Sequence, residues 1–121
     1  MPVRLLTDRV MKWPDAETVR AAAARWAASV GSTRGEVCAI GIFGSYARGD
    51  WGVGSDLDAV IIVDEIDAPY ERRALAFDLP DMPVPVDLLV YSASEWEQLH
   101  AGGMGRAADE MVWLYRKELQ H

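Results

Sequence analysis

Positive charge is scarce in this sequence. Twelve Lys and Arg face nineteen Asp and Glu, a formal net charge of −7 at pH 7. Broad, sequence-independent nucleic-acid binding needs clustered cations on the phosphates, so that class is not expected. A small nucleotide stays possible, because a local site can supply its own positive groups and metal. The acidic balance reads first as a solubility device, and it would also suit a basic protein partner.

Cysteine is nearly absent. Cys38 stands alone, so no internal disulfide can form. It lies in Val37-Cys38-Ala39-Ile40 and reads as a small buried hydrophobe rather than a catalytic thiol. No apolar stretch approaches the roughly 20 residues that a helix needs to cross a bilayer. No secretory leader pattern opens the chain either. A cytoplasmic location is therefore the expectation. Repeats, low-complexity runs and linkers are also missing. The 121 residues suit a single domain over 1–121, with little left to build a second one for an acceptor.

Within that frame, helix and strand patterns alternate. Residues 1–13 suit a short strand or a docked arm, through Leu5, Leu6, Val10 and Met11. Pro14-Asp15 opens a helix, with Asp15 and Glu17 near the positive end of its dipole. Val19, Ala22, Ala23, Trp26 and Val30 share one helical face, and Gly31 is the expected C-cap. Glu36 to Phe43 reads as a buried strand, followed by a helical turn from Ser45 to Gly49 and a Gly-rich loop from Asp50 to Ser55. Leu57 to Val63 is a second strand, Pro69 to Leu79 a helix, and Val84 to Tyr91 a third strand. Pro80, Pro83 and Pro85 force an extended connection before it.

Ser92-Ala93-Ser94-Glu95 has the form of a capping box. A helix through Trp96 and Leu99 should follow and stop at Gly102-Gly103. Met104, Ala107, Ala108 and Met111 suit a helix, whereas Met111 to Tyr115 also suits a strand. The fold class is α/β or α+β, a mixed central sheet flanked by helices.

The chemistry-bearing pattern is Gly44-Ser45, ten residues, then Asp56-Leu57-Asp58. Strand residues two apart point to one face, so Asp56 and Asp58 should project side by side. Two such charges are unfavourable unless a cation sits between them, and hard carboxylate oxygens suit Mg²⁺. Asp87 interrupts the apolar run from Val84 to Val90. If its strand lies beside the Asp56–Asp58 strand, three carboxylates converge and could hold two Mg²⁺ ions. Asp87 could also serve an acceptor hydroxyl as a base.

Gly44 would let backbone approach a ligand closely, and Ser45 at the start of a helical turn would cradle phosphate. Arg48, one turn on, would add a charged contact to a triphosphate. Each piece alone has a bland reading. Gly-Ser describes any turn, and Asp-x-Asp is commonly a strand end or cap, as Asp64 and Asp67 are read here. Asp87 alone could be a salt-bridged strand acid, and Arg48 a surface partner of Asp50. Their order and placement at strand ends favour a site.

Gly44-Ser45-Tyr46-Ala47-Arg48-Gly49 with Ser55-Asp56-Leu57-Asp58 resembles the signature of the DNA-polymerase-β-like nucleotidyltransferase superfamily, and within it the minimal nucleotidyltransferase (MNT) branch. Val86-Asp87-Leu88-Leu89-Val90 is similar to the strand carrying that family's third carboxylate, and Met111 to Tyr115 resembles its apolar tail. The resemblance runs from about Ile40 to Tyr115 and leaves the N-terminal helix outside it.

It implies the polymerase-β-like fold, Mg²⁺, and an NTP, usually ATP. It implies transfer of a nucleoside monophosphate to a hydroxyl with release of pyrophosphate. Gly44 and Ser45 would bind phosphate, with Arg48 beside them, and Asp56, Asp58 and Asp87 would hold metal and form the catalytic triad. Members of this branch often pair with a HEPN toxin and act as its antitoxin, some by adenylylating a tyrosine on it.

The first reading is therefore a Mg²⁺-dependent enzyme transferring AMP from ATP to a HEPN partner. A second is transfer to a small molecule of the aminoglycoside kind. A third is a non-catalytic antitoxin that covers its toxin. A homo- or hetero-oligomer suits any of them, and none requires a membrane.

Overall fold

The computed structural model describes residues 15–50, 52, 54–66, 68–74, 77, 82–101 and 110–117, with backbone alone at 70, 71, 100 and 101. The expected arm over 1–13, the Gly102-Gly103 stop and the helical option at 104–109 lie outside the described residues.

Helix α1 spans Ala16–Thr33. Asp15 caps it, its carboxylate accepting from the Thr18 amide at 2.8 Å. Val19, Ala22, Ala23, Trp26, Ala27 and Val30 are its buried stripe, the face that the helical spacing predicts. The expected C-cap at Gly31 is wrong: the helix runs on to Thr33 and is capped at Arg34. Gly31 has a packing role instead. A Cβ there would clash with the Tyr115 ring, whose hydroxyl donates to the Gly31 carbonyl at 3.2 Å.

Four strands form one sheet in the order β3-β2-β1-β4. They are β1 (Val37–Phe43), β2 (Leu57–Val63), β3 (Val86–Ser92) and β4 (Val112–Arg116). β1 runs antiparallel to β2 and β4, and β2 runs parallel to β3. The mixed sheet with flanking helices is the architecture expected. β3 begins at Val86 rather than Val84: Pro83 and Pro85 have no amide N–H to donate, and pairing opens with the Leu57 amide donating to the Pro85 carbonyl at 2.9 Å. The ambiguous last segment is a strand: pairing with β1 decides what its composition left open.

Alternation along β2 divides the core. Leu57, Ala59, Ile61 and Val63 face the cluster that includes Val19, Ala23, Trp26 and Ala27 of α1. Val60 and Ile62 face the other side, with Ala39 and the half-buried Leu89, Tyr91, Trp96 and Trp113. Asp58 shares the parity of Val60 and Ile62, so it opens the second face at its rim.

The remaining helices among the described residues are short: α2 (Ser45–Arg48), α3 (Tyr70–Arg73) and α4 (Ala93–Ala101). α3 is capped at Ala74, and most of the expected helix beyond it, to Leu79, lies outside the described residues. The capping box ahead of α4 forms as expected. The Glu95 amide donates to Ser92 Oγ at 3.2 Å, and the Ser92 amide donates to Glu95 Oε1 at 2.8 Å. Glu95 also pairs with Arg73 at 2.7 Å, which ties α3 to α4.

Cys38 is half-buried rather than buried. Its thiol donates to Asp64 Oδ1 at 2.8 Å. Burial first, and this bond second, push its pKa up to about 11. The thiol stays protonated at neutral pH, in keeping with a non-catalytic role.

Candidate active site at the end of the sheet

β1 delivers the chain to Gly44, which has φ 77° and ψ −153°. That conformation is open to glycine and strained for any other residue. α2 follows at once. Its turn is closed by the Ala47 and Arg48 amides on Gly44 O, at 3.1 and 2.9 Å, and by the left-handed Gly49 amide on Ser45 O at 2.8 Å. Ser45 makes no side-chain hydrogen bond among the described residues. The chain then returns toward β2, with Gly52 and Ser55 bonded to each other at 2.9 Å in both directions.

Two residues outside the sequence-derived set hold this turn. Tyr46 is fully buried, and its hydroxyl reaches the Ser55 carbonyl at 3.5 Å. Arg20 of α1 donates Nε to the Tyr46 carbonyl at 3.0 Å and adds a second bond from Nη2. An apolar-bodied residue between Ser45 and Ala47 is a weak signal for Tyr46. Nothing in the sequence points to Arg20, which is 26 positions away.

Asp56 lies just ahead of β2 and is exposed, while Asp58 is half-buried inside the strand. Asp87 is exposed on β3 and is the direct register partner of Asp58. Neighbouring strands lie about 4.8 Å apart, so the two acids stand side by side on one face. On the other side of Asp58 the ladder places Phe43, immediately before Gly44. A Cβ at Gly44 would collide with Asp58 Oδ2, so the missing side chain makes room for that carboxylate. The Gly-Ser turn and the acids therefore meet at one end of the sheet.

Asp58 carries the electrostatic mark of this arrangement. Its pKa is raised, first by burial, then by the charges of Asp87 and Asp56, with Arg48 opposing. The acids thus repel one another and want a cation. Among the described residues no group of three His, Cys, Asp or Glu side chains is placed to hold a metal ion as it stands.

Arg48 lowers the Asp58 pKa. It is exposed and bonded by Nε to Asp50 at 3.1 Å and by Nη1 to Glu110 at 3.3 Å. The pairing with Asp50 that a plain surface arginine would make does occur. Glu110 is a further acid at this end of the sheet that the sequence pattern does not reveal.

Comparison with known proteins gives the same region. The sequence model of the family described as nucleotidyltransferase domain matches residues 28–114. A crystal structure of a Sulfolobus solfataricus protein assigned to the nucleotidyltransferases superposes with a TM-score of 0.64 at 21% identity, covering 84% of each chain. A toxin–antitoxin crystal structure with AMP-PNP gives a TM-score of 0.46 at 15% identity, covering 87% of this chain and 76% of that one. No functionally curated protein sequence matches closely enough to count as a relative.

Proposed function

Because the chain belongs to the nucleotidyltransferase domain family, we propose that it transfers AMP from ATP to a hydroxyl of a protein partner, with 1–121 acting as a single minimal domain. The observation that carries this reading is the apposition of Gly44 with Asp58, beside the registered Asp58–Asp87 pair. The Gly44–Arg48 turn thus stands against acids at one sheet end, which supports a phosphate-holding role for the turn.

In this reading Gly44 and Ser45 hold phosphate of the NTP, and Arg48 meets the triphosphate. Asp56, Asp58 and Asp87 fit Mg²⁺ by donor chemistry, being hard carboxylate oxygens; burial first, and then the charges of Asp87 and Asp56, raise the Asp58 pKa. When bound, Mg²⁺ supplies charge neutralisation for the transferring phosphoryl group. Asp87, exposed at the rim, takes the proton of the acceptor hydroxyl. The hydroxyl oxygen bonds to the α-phosphorus, the bond to the bridging oxygen breaks, and pyrophosphate leaves with that electron pair.

The acceptor proposed is a tyrosine on a HEPN toxin, with this chain as the antitoxin. Two points support it: the likeness of the Gly44–Gly49 and Ser55–Asp58 motifs to the minimal branch, and an acidic chain suited to a basic protein surface. No helix among the described residues is long and apolar enough to cross a membrane, and a cytoplasmic setting is proposed with the rest.

The test uses purified protein, Mg²⁺ and each α-labelled NTP in turn, in a lysate containing the partner. Asp56→Asn, Asp58→Asn protein runs beside it. Label from ATP on one small protein, lost in the double variant, is the expected result. Label on a small compound would move the acceptor to that class. Neutralisation of a toxin without any label would replace catalysis with binding.

A further inference from the structure

We propose that Glu110 is an anionic competitor for Arg48: it occupies a donor that the triphosphate needs, and so sets the affinity for MgATP. The inference rests on the reading that Arg48 faces the nucleotide.

The fold makes the pair. β4 lies beside β1, with Val112 opposite Ile42. Glu110, two residues ahead of Val112, therefore arrives where β1 gives way to Gly44 and α2. Its carboxylate meets Arg48, 62 positions earlier in the chain. Asp50 is a different kind of partner. It lies two residues from Arg48 and belongs to the same turn.

Guanidinium chemistry gives the pair its consequence. Arginine grips phosphate best through two parallel N–H groups, either the Nε edge or the Nη1/Nη2 edge. Asp50 takes Nε and Glu110 takes Nη1. Asp50 and Glu110 engage two of the five guanidinium N–H groups and set two negative charges beside them, so an arriving phosphate meets a partly occupied and partly neutralised donor set. Releasing Glu110 frees Nη1 without disturbing the local Asp50 bond. The Arg48–Glu110 pair is solvent-exposed, which keeps it weak and exchangeable. A triphosphate carrying several charges can then displace it, at a cost in affinity.

The experiment measures the Kd of Mg²⁺·α,β-methylene-ATP, an analogue that cannot transfer its nucleotide. The full chain is used as wild type, Glu110→Gln, Arg48→Ala and the double variant, each checked by thermal melt. Glu110→Gln should tighten binding roughly threefold to tenfold at low salt, and the gain should shrink at about 0.5 M salt. In the Arg48→Ala background the same change should yield less than about half that gain.

Unchanged or weaker binding by Glu110→Gln overturns the proposal. An equal gain without Arg48 also overturns it, because simple repulsion of the triphosphate would then be the cause. Failure of the wild type to bind the analogue would remove the nucleotide reading and this inference together. Wild-type binding that Arg48→Ala leaves intact would remove only the inference.

Discussion

A side chain on Gly44 would collide with Asp58 Oδ2. Gly44 directly follows β1 and Asp58 sits one step into β2, so antiparallel pairing brings turn and acid together. At φ 77° and ψ −153° an L-residue is strained as well as obstructed, by about 1–3 kcal/mol. Gly44→Ala should therefore displace the Asp58 carboxylate and cut nucleotidyl transfer by about 100-fold or more. The chain should still fold, with a lowered Tm. Transfer at wild-type rate in a folded Gly44→Ala protein would show that this contact does not shape the site.

Asp58 is held half-buried against the charges of Asp87 and Asp56. In chelator at neutral pH that repulsion acts against the fold, so Asp58→Asn should raise the Tm while abolishing transfer. Added Mg²⁺ should raise the Tm of the wild type and leave Asp58→Asn unmoved. Equal Mg²⁺ shifts in both proteins would place the ion elsewhere.

Arg20 grips the Tyr46 carbonyl with two donors from α1. It touches none of the proposed ligands and acts as a positioning residue for the Gly44–Arg48 turn. Arg20→Ala should raise the KM for ATP roughly tenfold. Arg20→Lys should recover little, since an ammonium lacks the planar fork. A normal KM in Arg20→Ala would show that the turn holds itself through buried Tyr46.

Glu95 pairs with Arg73 and closes the capping box. These bonds, that to Arg73 first, hold its pKa down, from 4.5 to about 2. A depressed carboxylate stabilises the fold above its unfolded pKa and loses that contribution as pH falls through the folded one. Stability should therefore decline between about pH 4.5 and 2. Glu95→Gln should flatten the Tm profile across that window. Its cost at pH 7 should be about 1–2 kcal/mol, below that for a fully buried pair because the Glu95 side chain is 39% exposed. An unchanged acid limb in the variant would assign the pH dependence to other carboxylates.

Gly31 separates propensity from packing. Alanine favours a helix interior by about 1 kcal/mol over glycine, yet its Cβ would clash with the Tyr115 ring. Gly31→Ala should destabilise by about 1–3 kcal/mol. The same change in a Tyr115→Ala background should stabilise. Denaturant titration of the four proteins checks the sign in each.

The sequence by itself determined the elements with strong local signals. Asp15 capping α1, the stripe from Val19 to Val30, the β2 strand and the Ser92–Glu95 box are built from neighbours within a few residues, where periodicity and capping chemistry act directly. The order of Gly44, Ser45, Asp56, Asp58 and Asp87 along the chain was equally readable. Local rules misplaced the end of α1, because Gly31 answers to Tyr115, 84 residues away. They also left 111–115 open between helix and strand, and pairing with β1 decided it.

Only the tertiary structure set Asp87 opposite Asp58, Asp58 against Gly44, Arg20 on Tyr46 and Glu110 on Arg48. The physical reason is common to all four. Strand order and register bring distant residues within a few ångströms, and neither is encoded in the spacing of residues within one element.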